Sequence, residues 1–191
     1  GSYDAGIALV GVASAAQKEC QERAGLRNRS RGAFVSNNQT APIKRTTVVV
    51  ADLQRSLAFY RDLLGMDVFY EGEIGNPGAS GVTAVDCDGV HMVVLSVAGA
   101  ELGMLGLMQI KGARPPLEQT RWDTRLKVGE AILVIPTENM RSLHEGMQAS
   151  GVCVVTPPIR IAVPGRPEIH EMMVRDPDGM VVNLTQRGPL R

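Results

Sequence analysis

The chain has 191 residues, 44% of them apolar, and its 20 Lys plus Arg are balanced by 20 Asp plus Glu. That is enough apolar mass for one large domain or two small ones, and a formal charge of zero leaves no field to draw in nucleic acid or an anionic membrane. No apolar run approaches the roughly 20 residues of a membrane-spanning helix, and seven Phe, Tyr and Trp residues in all are too few for a stacking platform on single-stranded nucleic acid.

In chain order, residues 4–24 read as a helix, apolar in its first half and charged in its second. Residues 25–41 read as a basic linker: Arg27, Arg29 and Arg31 alternate with small polar residues ahead of Ser36-Asn37-Asn38-Gln39. The main domain is expected to begin at Pro42 and run to Arg191. Lys44 to Ala51 is β-branched and strand-like, with Arg45, Thr47 and Val49 on one face and Thr46, Val48 and Val50 on the other. Asp52 is placed to cap a helix over 53–64, whose Leu53, Leu57, Tyr60 and Leu64 form one apolar stripe before the stop at Gly65. Strands are expected over 66–72, 90–97 and 103–111, with a Gly/Pro loop at 75–81. Residues 112–128, with Pro115-Pro116 and no clear period, read as a linker.

The pattern then restarts. Ala131 to Ile135 is a strand, residues 138–149 a helix striped by Met140, Leu143 and Met147, and Gly151 the stop. Arg55-Ser56-Leu57 matches Arg141-Ser142-Leu143, and Gly65 matches Gly151, at a constant offset of 86; the preceding strands align at 85. Val152 to Thr156 is a strand, a Pro-rich stretch follows, and Asp176-Pro177-Asp178-Gly179 turns one strand, His170 to Val174, into another, Met180 to Gln186. One helix to four strands in each half argues α+β: two βαβββ modules, 42–111 and 129–187.

The run Val-Val-Val-Ala-Asp-Leu-Gln-Arg-Ser-Leu-Ala-Phe-Tyr-Arg-Asp-Leu-Leu-Gly-Met at 48–66, with Asp-Pro-Asp-Gly before a closing strand, resembles the vicinal oxygen chelate superfamily of glyoxalase I, bleomycin resistance proteins, fosfomycin resistance enzymes and extradiol dioxygenases. The resemblance implies a cupped mixed sheet with a small-molecule ligand inside, and a homodimer. It also implies a divalent metal held by residues on the first and last strands of each module, and by alignment those positions are Arg45, Gln109, Glu130 and Asn183. A guanidinium has no lone pair for a metal and two amides are weak donors, which leaves Glu130 as the only strong ligand. No cofactor is therefore expected, nor residual divalent-metal binding at Glu130 and Gln109. Arg45 and Glu130 occupy equivalent points of the two modules, so they are expected to meet as an ion pair, either plugging a redundant site or orienting a polar ligand.

Among the three histidines no two share a metal-binding spacing. His144 reads as solvated, while His91 and His170 are candidates to line the cup. Trp122 is either a core plug or a pocket wall. Met104, Met108, Met172, Met173 and Met180 read first as adaptable core fillers. Cys20, Cys87 and Cys153 form no Cys-x-x-Cys and suit reduced thiols in the cytoplasm. The alternative, an exported or periplasmic protein, rests on the Ala-rich segment Ile7–Ala16, which follows Asp4 rather than a basic stretch. Three functions are carried forward. The first is metal-free binding of a small, partly hydrophobic molecule. The second is a glyoxalase-like lyase or isomerase with Glu130 as general base and Arg45 as oxyanion stabiliser. The third is an interaction module using the N-terminal helix. No nucleic-acid or membrane partner is expected.

Overall fold

A computed structural model describes residues 42–118, 122–162, 164–165 and 167–191; the helix expected over 4–24, the basic linker and Cys20 lie outside them. Strand β1 (Arg45–Val49) leads into α1 (Leu53–Leu57), which continues as a wider π-type turn over Ala58–Leu63. Asp52 caps α1 as expected, its carboxylate accepting from the backbone N–H of Gln54 at 2.9 Å and of Arg55 at 3.2 Å. The widening changes the apolar stripe. Leu64 N–H donates five residues back to the Phe59 carbonyl at 3.0 Å, so Phe59 and Tyr60 both turn inward and meet edge to face, ring centres 4.8 Å apart.

Strand β2 (Asp67–Gly75), a short α2 (Gly78–Thr83), β3 (Gly89–Ser96) and β4 (Met104–Lys111) complete the first module. The second runs β5 (Ile132–Pro136), α3 (Met140–Ala149), β6 (Cys153–Ile161), β7 (Ile169–Arg175) and β8 (Val181–Arg187). Each module is one four-stranded mixed sheet, ordered β1-β4-β3-β2 and β5-β8-β7-β6, with the first and last strands parallel. Two expectations need correction. The Gly/Pro stretch at 75–81 carries α2, held down by Ala79 against Cys87 and Val90. The Pro-rich stretch after Thr156 stays in β6, because β6 is an edge strand whose pairing shifts register between Val154 and Thr156 and again before Ile159, and an edge with bulges tolerates Pro157 and Pro158.

One apolar core serves both modules. Val48, Leu105, Leu107, Val93 and Leu95 of the first sheet and Val182, Leu184, Met172 and Val174 of the second close around Leu53, Leu57, Phe59 and Tyr60 of the first helix and Met140 and Met147 of α3. The opposite, inner faces of the sheets therefore form the cup. The Asp-Pro-Asp-Gly turn ties the modules together. Asp178 accepts from the Ala51 N–H at 3.0 Å and from Ser56 Oγ at 3.3 Å, while buried Asp176 accepts the Tyr60 hydroxyl proton at 2.8 Å. No helix among the described residues is long and apolar enough to cross a membrane.

Candidate functional site

Pairing register fixes which side chains face the cup. On the first sheet the inner rows are Thr47–Gly106–Val94–Tyr70 and Val49–Met108–Met92–Gly72. On the second they are Ile132–Val181–Arg175–Cys153, Val134–Asn183–Met173–Thr156 and Pro136–Thr185–Glu171 with Ile159. Cavities open on this side. One of about 470 Å³ is lined by Val49, Ile110, Ala113, Pro116 and Leu117, with Glu118 and Asp178 as its charged residues. Another, about 370 Å³, lies between Thr47 and Val49 of β1, Trp122 of the connecting segment, and Glu130, Val181 and Arg175 of the second module.

Glu130 and Trp122 do converge at the cup, but the cation that meets them is Arg175. Its side chain is 1% exposed. Nη1 lies 2.8 Å from Glu130 Oε1 and Nη2 3.2 Å from Oε2, a two-pronged pair. The remaining N–H groups donate to the carbonyls of Asp123 at 2.6 Å, Gly179 at 2.7 Å and Arg125 at 3.0 Å. Trp122 stacks 5.9 Å from the guanidinium carbon and lies so close over Gly179 that no side chain fits there. Trp122 is thus a pocket wall, pinned by the same arginine. Glu130 Oε2 also accepts the Lys127 N–H at 2.8 Å. Arg175 first, and then that N–H, hold the Glu130 carboxyl below its ordinary range.

Arg45 does not pair with Glu130. Its side chain is exposed and lies across Gly106: a methyl group added there would sit 3.1 Å from Arg45 Cδ and 2.8 Å from Thr47 Oγ1. Arg45 opens β1, whereas Glu130 lies in the segment two residues before β5, so the aligned positions do not stand at equivalent points of their strands. Gln109 is corrected more sharply. It pairs with His91 and Glu73 in the row adjacent to the inner ones, so it points to the helix-bearing side and donates to the Ala51 carbonyl at 3.1 Å. A one-residue slip on a strand exchanges faces. His91 follows it out of the cup, within 2.7 Å of Glu71. His170, paired with Gln186, also lies on the helix side, its Nδ1 3.1 Å from the Gly188 carbonyl oxygen.

Asn183 does face inward, and is 8% exposed. Its Nδ2 donates to Glu171 Oε2 at 3.2 Å, and its Oδ1 has no hydrogen-bond partner. Residue types alone could not flag Arg175, Glu171, Gly106 or Tyr70. Counting alternate residues back from Asn183 through the Asp-Pro-Asp-Gly hairpin would have found Arg175 and Glu171.

The Glyoxalase family, described as the glyoxalase/bleomycin resistance protein/dioxygenase superfamily, matches residues 42–184. The chain belongs to this superfamily. Similar proteins include glyoxalase domain-containing protein 4 of Mus musculus and of Rattus norvegicus, each 24% identical over 144 residues and 75% of this chain. The chain spans 40% of the length of those relatives. Among solved structures, a glyoxalase family protein from Bacillus cereus superposes with a TM-score of 0.61 at 15% identity, covering 81% of this chain and 99% of that one. A mutant glyoxalase I from Zea mays gives 0.53 at 17% identity, covering 78% of this chain and 45% of that one. At these identities the structural likeness speaks for the fold.

The superfamily's divalent metal is tested by the donors on the inner face. Arg45 offers no lone pair, Gly106 no side chain, and both Glu130 oxygens are committed to Arg175 and the Lys127 N–H. Among the described residues no three His, Cys, Asp or Glu side chains are grouped to hold a metal. This donor set does not fit the group.

Proposed function

We propose that this superfamily member binds a small, partly hydrophobic molecule in its cup without using a divalent metal. The observation that carries the reading is the Arg175–Glu130 pair: the one strong ligand among the aligned positions is closed by a buried guanidinium, beside cavities walled by Val49, Ile110, Leu117 and Trp122. The lyase alternative needs Glu130 as a general base, and a carboxylate held below its ordinary range by two hydrogen-bonding partners is a poor one. It also needs Arg45 at the same substrate atom, while Arg45 lies over Gly106.

Trp122 is the chain's single tryptophan, so its emission reports the cavity wall. Titration with a small aromatic alcohol such as 2-phenylethanol should give a saturable change in that emission, and elemental analysis after dialysis against Zn²⁺, Ni²⁺ or Mn²⁺ should find well under one equivalent. One equivalent of metal, lost in Glu130→Gln, would overturn the reading.

A further inference from the structure

We infer that the inner face of the second module recognises an organic cation, a protonated amine on an apolar body, through Asn183 and Glu171. The inference rests on the metal-free reading above and names the chemistry of the ligand. Asn183 is nine-tenths buried, yet its Oδ1 has no partner. The orientation of the amide is not free: reversing it would set two oxygens against each other, since the other end of the side chain meets Glu171 Oε2 at 3.2 Å. A buried acceptor left open is a cost that folding alone gives no reason to keep. Beside it, Glu171 is half-buried, and its only bond among the described residues is that amide N–H.

The surroundings narrow the occupant. The cations on this face of the sheet are Arg175, whose N–H groups are spent on Glu130 and three carbonyls, and exposed Arg187, one row beyond Glu171, which forms no ion pair with it. At the pair itself stand two acceptors, one of them charged, and the neutral Thr185 hydroxyl, cross-strand from Glu171, donates to neither. An ammonium has N–H donors to share between them and carries the charge that matches Glu171. A hard metal ion fits less well, because it takes six or more oxygens and these two side chains supply a fraction of that shell. Around the pair the sheet is apolar and open. Val134, next to Asn183, is 61% exposed, and Ile159, next to Glu171, is 47% exposed. Met173 lies in the same row as Asn183 and adapts its shape readily. An alkyl chain has a place to lie.

The test is an amide chemical-shift titration of the full chain with n-hexylammonium chloride, n-hexanol and sodium hexanoate. Hexylammonium should shift the amides of residues 171, 173 and 183 saturably, and bind at least about tenfold tighter than the other two. Glu171→Gln should remove that preference. Asn183→Leu should weaken hexylammonium binding and melt above the parent protein, since the open buried acceptor is gone. Equal binding of the three probes, an unchanged preference in Glu171→Gln, or a lower melting temperature for Asn183→Leu would overturn the inference. So would Mg²⁺ shifting the same amides. Binding of 2-phenylethanol at Trp122 with no hexylammonium effect would sink this inference alone. Stoichiometric Zn²⁺ lost in Glu171→Gln would sink the metal-free reading with it.

Discussion

Arg175 carries more of this site than any other residue. Removing its guanidinium leaves the carbonyls of Asp123, Arg125 and Gly179 without donors and Glu130 without its cation, so Arg175→Met should cost about 3 kcal/mol or more. A double-mutant cycle separates the real partner from the aligned one. Arg175→Met and Glu130→Gln should be strongly non-additive, whereas Arg45→Met and Glu130→Gln should add. The same pair sets a pH dependence. The Glu130 carboxyl is lowered in the folded state, so its contribution is present above the ordinary glutamate range and is lost as pH falls through the folded value. Thermal melts of the parent and Glu130→Gln should therefore converge on acidification and separate towards neutrality. Constant separation across that window would argue against the pair.

At the scale of elements, the first helix and the Asp-Pro-Asp-Gly turn act together. The π-type widening after Leu57 brings Tyr60 under the second module, where its hydroxyl finds Asp176. Burial, ahead of the nearby Asp178 charge, raises the Asp176 carboxyl, while Tyr60 and the N–H groups of Met180 and Asp178 act against that rise. Burial and Asp176 push the Tyr60 hydroxyl far up, so it remains a donor. Tyr60→Phe deletes one hydrogen bond to a buried carboxyl and should cost about 2 kcal/mol, measured by urea unfolding; a change within a few tenths of a kcal/mol would show that the hydroxyl is not needed to join helix and turn. Sequence periodicity located this helix, yet its stripe of Leu53, Leu57, Tyr60 and Leu64 omitted Phe59. A 3.6-residue period cannot anticipate a turn held by a bond five residues back.

For the whole molecule, the repeat legible in the sequence does not make two independent halves. Helices α1 and α3 and both sheets contribute to one apolar core, and turn residues of one module bond the helix start of the other. Unfolding of the chain should accordingly give one calorimetric transition for the region from Pro42 to Arg191, with coincident fluorescence of Trp122 and far-ultraviolet dichroism. Two resolved transitions would show that the modules melt separately.

The sequence by itself determined the two βαβββ modules, the superfamily and the Asp52 cap, and it drew attention to Glu130 and Asn183 while leaving Trp122 open between core and pocket. These follow from residue type and local period, which act over one element or one motif. Tertiary structure alone decided the partners. Gln109, His91 and His170 left the cup because strand parity depends on register, which bulges and turn lengths set. Arg175 displaced Arg45 as the partner of Glu130 because the segment from Trp122 to Glu130 folds back onto β7, a contact between residues 45 positions apart in sequence that no local pattern encodes. The open acceptor of Asn183 is likewise a fact of packing: whether a buried amide is satisfied depends on every neighbour around it, and those neighbours meet only in the folded chain.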